Sequence, residues 1–164
     1  MLRAMSDLPD WQLRPAAEHD VPALAALYAD TARSAGPWCY TPQQVNAWAS
    51  FAADTAAFRD YVLGADTWVA QARADARVLG FCGVDAQGEV RSLYVASDLH
   101  RRGLGSALLR HALGVAEGRG ARRFAAWATP FSKPVFERAG FVLERVVREP
   151  YQGVLFDRYR LRRD

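Results

Sequence analysis

Glu89-Val90-Arg91-Ser92-Leu93-Tyr94-Val95-Ala96-Ser97-Asp98-Leu99-His100-Arg101-Arg102-Gly103-Leu104-Gly105-Ser106-Ala107-Leu108-Leu109 is the stretch on which the fold of this chain turns. Its first seven residues read as a β-strand. Its end opens a long amphipathic helix that runs from Gly103 to about Glu117 and stops at Gly118 and Gly120, where C-terminal glycines belong. Between them lies a loop that carries two arginines and meets the helix at Gly103-Leu104-Gly105. Glycine lets the backbone come close to a ligand, and a helix N-terminus presents unpaired N–H groups with positive partial charge. Strand, glycine loop and helix together make an anion cradle suited to a pyrophosphate, with Arg101 and Arg102 adding charge at its mouth. It is not a Walker loop, because no Lys-Ser/Thr follows the glycines. It is not a dinucleotide fingerprint either, since Leu108 stands where the third glycine is needed. On the glycines alone, a tight turn that serves only packing stays open.

Outward from this stretch the pattern is mixed. On the N-terminal side, Trp11 to Arg14 reads as a short strand. Asp20 caps a helix with Pro22 in its first turn and a stripe of Val21, Leu24, Leu27 and Tyr28. Thr41-Pro42-Gln43-Gln44 is a capping box that opens a second helix through about Phe51, and Asp54 caps a third whose apolar side is Phe58, Tyr61 and Val62. Thr67 to Ala72 and Val78 to Val84 are strands that lead through Gln87-Gly88 into Glu89 to Val95. On the C-terminal side, Arg123 to Ala128 is a short apolar strand of parallel-sheet type. Ser132 caps a short helix ending at Gly140. Phe141 to Arg148 and Val154 to Leu161 close the chain as a hairpin around Tyr151-Gln152-Gly153. The order β-α-α-α-β-β-β-α-β-α-β-β predicts an α/β (α+β) fold with a mixed sheet flanked by helices.

Composition bounds the rest. With 164 residues, 51% apolar and 24% charged, the chain fits one globular domain over residues 11–164, preceded by a loose tail over residues 1–10 in which Met5 is an alternative start. No run reaches the length of a membrane span, and Met1 to Trp11 has no apolar core of a secretory signal, so a cytoplasmic protein is expected. Cys39 and Cys82 are too few for a disulfide framework, and with His19, His100 and His111 they form no metal-ligand spacing, so no metal is expected. The net charge is +3, and Lys133 is the sole lysine. The Arg-rich end, Arg158 to Arg163, raises nucleic-acid binding. Its alternation reads instead as the exposed face of a terminal strand, and neither nucleic acid nor membrane is expected as a partner.

His100-Arg101-Arg102-Gly103-Leu104-Gly105 resembles the acetyl-CoA motif of the GNAT superfamily of acyl-CoA-dependent N-acetyltransferases, [Q/R]-x-x-G-x-[G/A], with His100 in place of Gln or Arg. Leu13 to Asp20 is similar to that family's opening strand and helix cap, and Phe136-Glu137-Arg138-Ala139-Gly140-Phe141 to its [Y/F]-x-x-x-G-F element. The resemblance covers roughly Trp11 to Leu161, and Tyr40 to Gln44 followed by Trp48 resembles a bacterial subgroup of unassigned substrate. It implies a GNAT fold in which the strand ending at Val95 splays from the strand Arg123 to Ala128. It implies acetyl-CoA as cosubstrate, with Leu93, Tyr94 and Val95 along the pantetheine and Arg101, Arg102, Gly103, Leu104, Gly105 and Ser106 around the pyrophosphate. The activity implied is acetyl transfer to a primary amine of a small molecule or peptide, by direct attack in a ternary complex. A homodimer is the family-level expectation.

For catalysis, Glu89 at the start of the splayed strand is the candidate general base, beside its reading as a surface carboxylate; Asp85 reads more as a turn residue. The family's usual tyrosine acid falls on Phe136, which has no proton to give. Tyr151 at the hairpin tip and Tyr94 are the substitutes, and the alternation of Tyr94 with Leu93 and Val95 favours core packing. Trp38, Cys39, Tyr40 and Trp48 are candidates to wall the acceptor pocket. His111 reads as exposed or packed. The absent tyrosine keeps open an alternative, a non-catalytic acyl-CoA-binding sensor or interaction module.

Overall fold

A computed structural model describes residues 8–164. The strands are Trp11–Pro15 (β1), Asp66–Ala72 (β2), Val78–Val84 (β3), Glu89–Val95 (β4), Phe124–Ala128 (β5), Val142–Tyr151 (β6) and Val154–Arg163 (β7). The helices are Val21–Ala35 (α1), Pro42–Ser50 (α2), Thr55–Leu63 (α3), Leu104–Gly118 (α4) and Lys133–Arg138 (α5). The strands form one seven-stranded sheet in the order β1-β2-β3-β4-β5-β7-β6. Every neighbouring pair is antiparallel except β4 and β5, which run parallel. This is the mixed sheet with flanking helices that the element order predicts. The first seven residues of the expected tail lie outside the described residues.

Period-two alternation on β3 divides the layers. Phe81 is fully buried and stacks on Tyr94 of β4, with ring centroids 5.3 Å apart. Gly80 faces the other way, toward α4: a Cβ there would lie 2.9 Å from Leu108 Cδ1 and 2.6 Å from the Tyr94 carbonyl oxygen. The missing side chain therefore sets how closely α4 lies on the sheet. Leu24, Phe58, Leu79, Phe81, Leu108 and Leu161 are fully buried in a continuous core.

Two of the predicted helix starts are built from the residues expected. The Thr41 hydroxyl accepts from the Gln44 N–H at 3.2 Å while the Gln44 side chain accepts from the Thr41 N–H at 2.9 Å, and Asp54 accepts from the Ala57 N–H at 3.1 Å. Two others differ. Asp20 makes no cap bond into α1; its carboxylate turns back to the Ala17 N–H and takes a bidentate pair of bonds from Arg14. Ser132 likewise caps nothing: Thr129 N–H donates to the Ser132 hydroxyl and Ser132 N–H donates to the Thr129 hydroxyl, each at 3.0 Å. In both places the side chain is captured by a tighter local turn before the helix begins.

The site is positioned by a fault in the ladder. Val84 pairs with Val90 and Gly83 with Ser92, leaving Arg91 as one extra residue on β4. Such a bulge bends its strand and strengthens the twist. The parallel pairing of β4 with β5 consists of Glu89 with Ala125 and Val90 with Ala126, and ends there. β5 goes on paired to β7 through Ala128. The two strands therefore part after Val90, and the gap widens toward Val95.

Candidate active site

A cleft of about 830 Å³ occupies this gap. Its lining takes in β4 from Val90 to Val95, the loop and first turn of α4, Trp127 of β5, the Thr129 to Ser132 loop, and residues of α1, α2 and α5. The volume lies within the range of small-molecule and cofactor sites.

At the mouth, Gly103 caps α4 in the left-handed region with φ 86° and no contact for a Cβ within 4 Å. Arg101 also has a positive φ, 63°, a conformation uncommon for a residue with a side chain. The first intrahelical bond in the turn runs from the Ala107 N–H to the Gly103 carbonyl. The N–H groups of Leu104, Gly105 and Ser106 are therefore among those a helix leaves without an internal partner, at its positive end. Gly103, Leu104, Gly105, Ser106 and Arg101 all line the cleft. The Arg101 guanidinium lies 5.7 Å from the Trp38 ring centroid, and Trp38 is 79% exposed.

Along the cleft, the Ala96 N–H bonds to Leu79, which leaves the polar groups of Val95 on the side away from β3. The antiparallel alternation puts those of Leu93 on the same open side. One feature here had no signal in the sequence. The Val95 carbonyl is met by His100 Nε2 at 2.7 Å and by the Thr31 hydroxyl at 3.3 Å, so the motif's departure at His100 becomes a clasp from the loop back onto the strand.

The expected catalytic residues are divided by the fold. Glu89 sits at the closed end, where its carboxylate takes a 2.6 Å bond from Arg160, and it is not among the residues lining the cleft. Asp85 closes the turn before β4, accepting from the N–H groups of Gln87 and Glu89 and from Arg91. Tyr151 lies at the end of β6 with its ring against Phe156, also outside the lining. Tyr94 does line the cleft. It sits in an aromatic cluster with Tyr28, Trp48 and Phe81, and the Trp48 N–H donates to its hydroxyl at 3.4 Å. Burial pushes the Tyr94 phenol above the ordinary tyrosine value, and hydrogen bonds from Trp48, Tyr28 and Tyr61 offset part of that rise. Phe136 is buried on the cleft wall, edge-on to Phe141.

Of the four residues expected at the acceptor wall, Trp38, Cys39 and Trp48 line the cleft. Tyr40 packs edge-on behind them, between Trp48 and Phe156. Burial pushes the Cys39 thiol up, partly offset by the Phe131 backbone, which makes it a poor nucleophile. Ser132, expected as a cap, does reach the cleft, whereas His111 packs against Trp68 away from it. Trp127 was not anticipated: inside a short apolar strand nothing marks which face meets a cavity. Its ring carries the guanidinium groups of Arg158 at 4.4 Å and Arg160 at 5.0 Å. These arginines belong to the Arg-rich end, where Arg158 also pairs with Glu149, Arg160 with Glu89 and Arg163 with Glu117. Among the described residues no cluster of metal-ligating side chains occurs, and no helix is long and apolar enough to cross a membrane.

A parallel strand pair that opens into a V, with a helix N-terminus at its mouth, leaves an open strand edge and unpaired N–H groups at one cleft. Residues 39–162 match the family described as the acetyltransferase (GNAT) domain, and the chain belongs to that family of acetyltransferases. It is similar to the uncharacterized N-acetyltransferase YafP of Escherichia coli K12, with 26% identity over 151 residues covering 92% of this chain and 94% of that protein. Among solved structures it is similar to a GCN5-related N-acetyltransferase from Rhodopseudomonas palustris, with a TM-score of 0.87, 24% identity and coverage of 94% and 96% of the two chains. The PaiA N-acetyltransferase of Thermoplasma acidophilum, solved in complex with coenzyme A, shares the fold at a TM-score of 0.74 and 13% identity, with 93% and 98% covered.

Proposed function

We propose that this protein transfers the acetyl group of acetyl-CoA to a primary amine of a small molecule or peptide, by direct attack within a ternary complex. The observation that carries the reading is the coincidence of two features at one cleft. β4 leaves β5 after Val90, and the unpaired N–H groups of α4 open at the mouth of the gap so formed. In this reading the pyrophosphate lies on the N–H groups of Gly103 to Ser106, with Arg101 and Arg102 beside it. The pantetheine amides pair with the polar groups of Leu93 and the N–H of Val95 as a partial extra strand next to Tyr94, the Val95 carbonyl being held by His100 and Thr31.

The amine nitrogen attacks the thioester carbonyl carbon, the C–S bond breaks, and the proton lost by the amine is matched by one gained at sulfur. Tyr94 is the proposed donor of that proton. Its hydroxyl accepts the Trp48 N–H and carries its proton at neutral pH, as an ordinary phenol does. It also lines the cleft, which Tyr151 does not. Glu89 is the proposed base, acting through water at the closed end of the gap once its carboxylate releases Arg160.

Thiol release from acetyl-CoA in the presence of a panel of primary amines tests the activity. Amine-dependent release is the expected result. Saturable acetyl-CoA binding with no release for any amine would favour a binding module instead. Tyr94→Phe, which removes one oxygen, is expected to lower kcat 10²-fold or more at unchanged acetyl-CoA affinity, in the range of a lost general acid. An unchanged kcat would return Tyr94 to packing alone.

A further inference from the structure

On the face of the sheet turned away from α4, the gap has two aromatic lips. Tyr94 of β4 shares that face with Phe81, on which it stacks. Trp127 of β5 lies beside its cross-strand partner Arg160 and beside Arg158, whose guanidinium groups rest against the indole. Period two puts Phe156 on the same face as Arg158. A chain of rings, Phe156 to Tyr40 to Trp48 to Tyr94, then joins the two lips at centroid distances of 5.3, 5.7 and 6.4 Å. Trp38 and Trp48 line the cleft from the α1–α2 side, and Phe131 lines it from the loop after β5, where its backbone meets the Cys39 thiol. Walls of this kind receive a flat apolar group. The charges favour a neutral one. Among the described residues that line the cleft, Arg91, Arg101 and Arg138 are cationic and none is a carboxylate. Glu89 and Glu149 are each bonded to one of the arginines on Trp127, and neither lines the cleft. An ammonium ion entering here would shed water without gaining an anion, which is costly.

We infer that the acceptor is a primary arylamine, uncharged at neutral pH, whose ring lies between Tyr94 and Trp127. The inference rests on the reading of the cleft as a site of acetyl transfer and names the acceptor class within it. Conjugation of the nitrogen lone pair with the ring keeps such an amine unprotonated at pH 7. An alkylammonium such as lysine's, with a pKa of about 10.4, is neutral there in fewer than about one molecule in a thousand. The arylamine nitrogen therefore attacks without first giving up a proton. The C–N bond forms, the C–S bond breaks, and the nitrogen becomes strongly acidic as it bonds to carbon. Its proton leaves through water toward Glu89, while sulfur takes one from the Tyr94 hydroxyl, which solvent restores. The products are the N-aryl acetamide and the free thiol of CoA. A carboxylate outside the lining is a poor partner for an ammonium ion, but it is an adequate one for this late proton. Peptide N-termini, lysines and polyamines, all cationic, are disfavoured.

Aniline and benzylamine test this, because they carry the same ring and differ by the one methylene that makes benzylamine a cation at neutral pH; spermidine adds a polycation. Thiol release from acetyl-CoA by the intact protein at pH 7 is expected to give aniline a kcat/KM about 10²-fold or more above either. Trp127→Leu is expected to raise KM for aniline about tenfold at unchanged acetyl-CoA affinity by calorimetry, and that preserved affinity also shows the variant is folded. Where the variant does not fold, the wild-type panel decides the inference alone. A kcat/KM for benzylamine or spermidine equal to that for aniline, or above it, overturns the arylamine assignment while leaving acetyl transfer intact. A folded Trp127→Leu protein that keeps the wild-type KM for aniline overturns the placement of the ring. If acetyl-CoA binds and no amine releases its thiol, the transfer reading itself fails and the acceptor class falls with it.

Discussion

Asp20 is 3% exposed and takes 2.7 and 2.8 Å bonds from the two Arg14 nitrogens and a 2.8 Å bond from the Ala17 N–H. These contacts tie the end of β1 to the start of α1. The Arg14 guanidinium holds the Asp20 carboxyl below its usual value. A carboxylate with a depressed folded pKa contributes stability that is complete above the unfolded value, near 3.9, and is lost as pH falls through the folded value. Asp20→Asn is therefore expected to cost about 2–3 kcal/mol at neutral pH, the worth of hydrogen bonds to a charged group. The deficit should narrow at pH 3 and below, and urea midpoints at pH 7 and pH 3 measure it. An equal deficit at both values would remove the charge from the explanation. The sequence shows an acid at a helix start but not its partner, since Arg14 comes back across a turn that no periodicity encodes. Glu89 shows the same limit over a longer span, because its partner Arg160 lies 71 residues away on β7. If Glu89 is the base, Glu89→Gln lowers kcat about 10²-fold and removes the acidic limb of the pH–rate profile at unchanged acetyl-CoA affinity. An unaltered profile would leave the Arg160 pair as its whole role.

At the scale of elements, the sequence is most legible where one residue type is forced by backbone geometry. Gly103 is such a case, with φ 86° at the cap of α4. The last hairpin is another: Gln152 at φ 51° and Gly153 at φ 75° join β6 to β7 by the two-residue turn that suits the twist of the strands. Capping boxes and turn glycines are local, so they survive the absence of any tertiary information. The bulge at Arg91 is not local in this sense. It exists only because β3 and β4 pair in a register that leaves one residue over, and nothing in Glu89 to Val95 announces it. Gly80 is similar: a strand glycine signals a close approach, but Leu108 as the approaching group is known only once α4 is laid on the sheet. Gly103→Val, β-branched at positive φ, is expected to cost about 1–2 kcal/mol of stability. It should weaken acetyl-CoA binding by tenfold or more, because the side chain projects into the cradle. Calorimetry beside thermal unfolding separates the two effects. Unaltered affinity in the variant would mean that the loop does not hold the pyrophosphate.

Across the whole molecule, the sheet is continuous from β1 to β6, yet it is held at its middle by one short parallel pairing, Glu89 and Val90 with Ala125 and Ala126. The halves on either side are bonded along their full strands, β2 through β4 on one flank and β5 with the β7–β6 hairpin on the other. Beyond Val90 the polar groups of Leu93 and the N–H of Val95 face the gap rather than a neighbouring strand. An extended ligand that pairs with them completes the sheet, so its binding energy is also sheet stability. Acetyl-CoA at 100 times its Kd adds about 2.7 kcal/mol, which for a chain of this size raises the thermal midpoint by roughly 5–11 °C. Amide hydrogen exchange locates where that energy goes. The Leu93 and Val95 amides, which face the gap, are expected to exchange faster than that of Tyr94, which pairs with Phe81 on the closed side of β4, and to slow when acetyl-CoA is added. If the midpoint rises while exchange at Leu93 and Val95 stays as fast as before, the carrier binds elsewhere, and the splay is not the groove in which it lies.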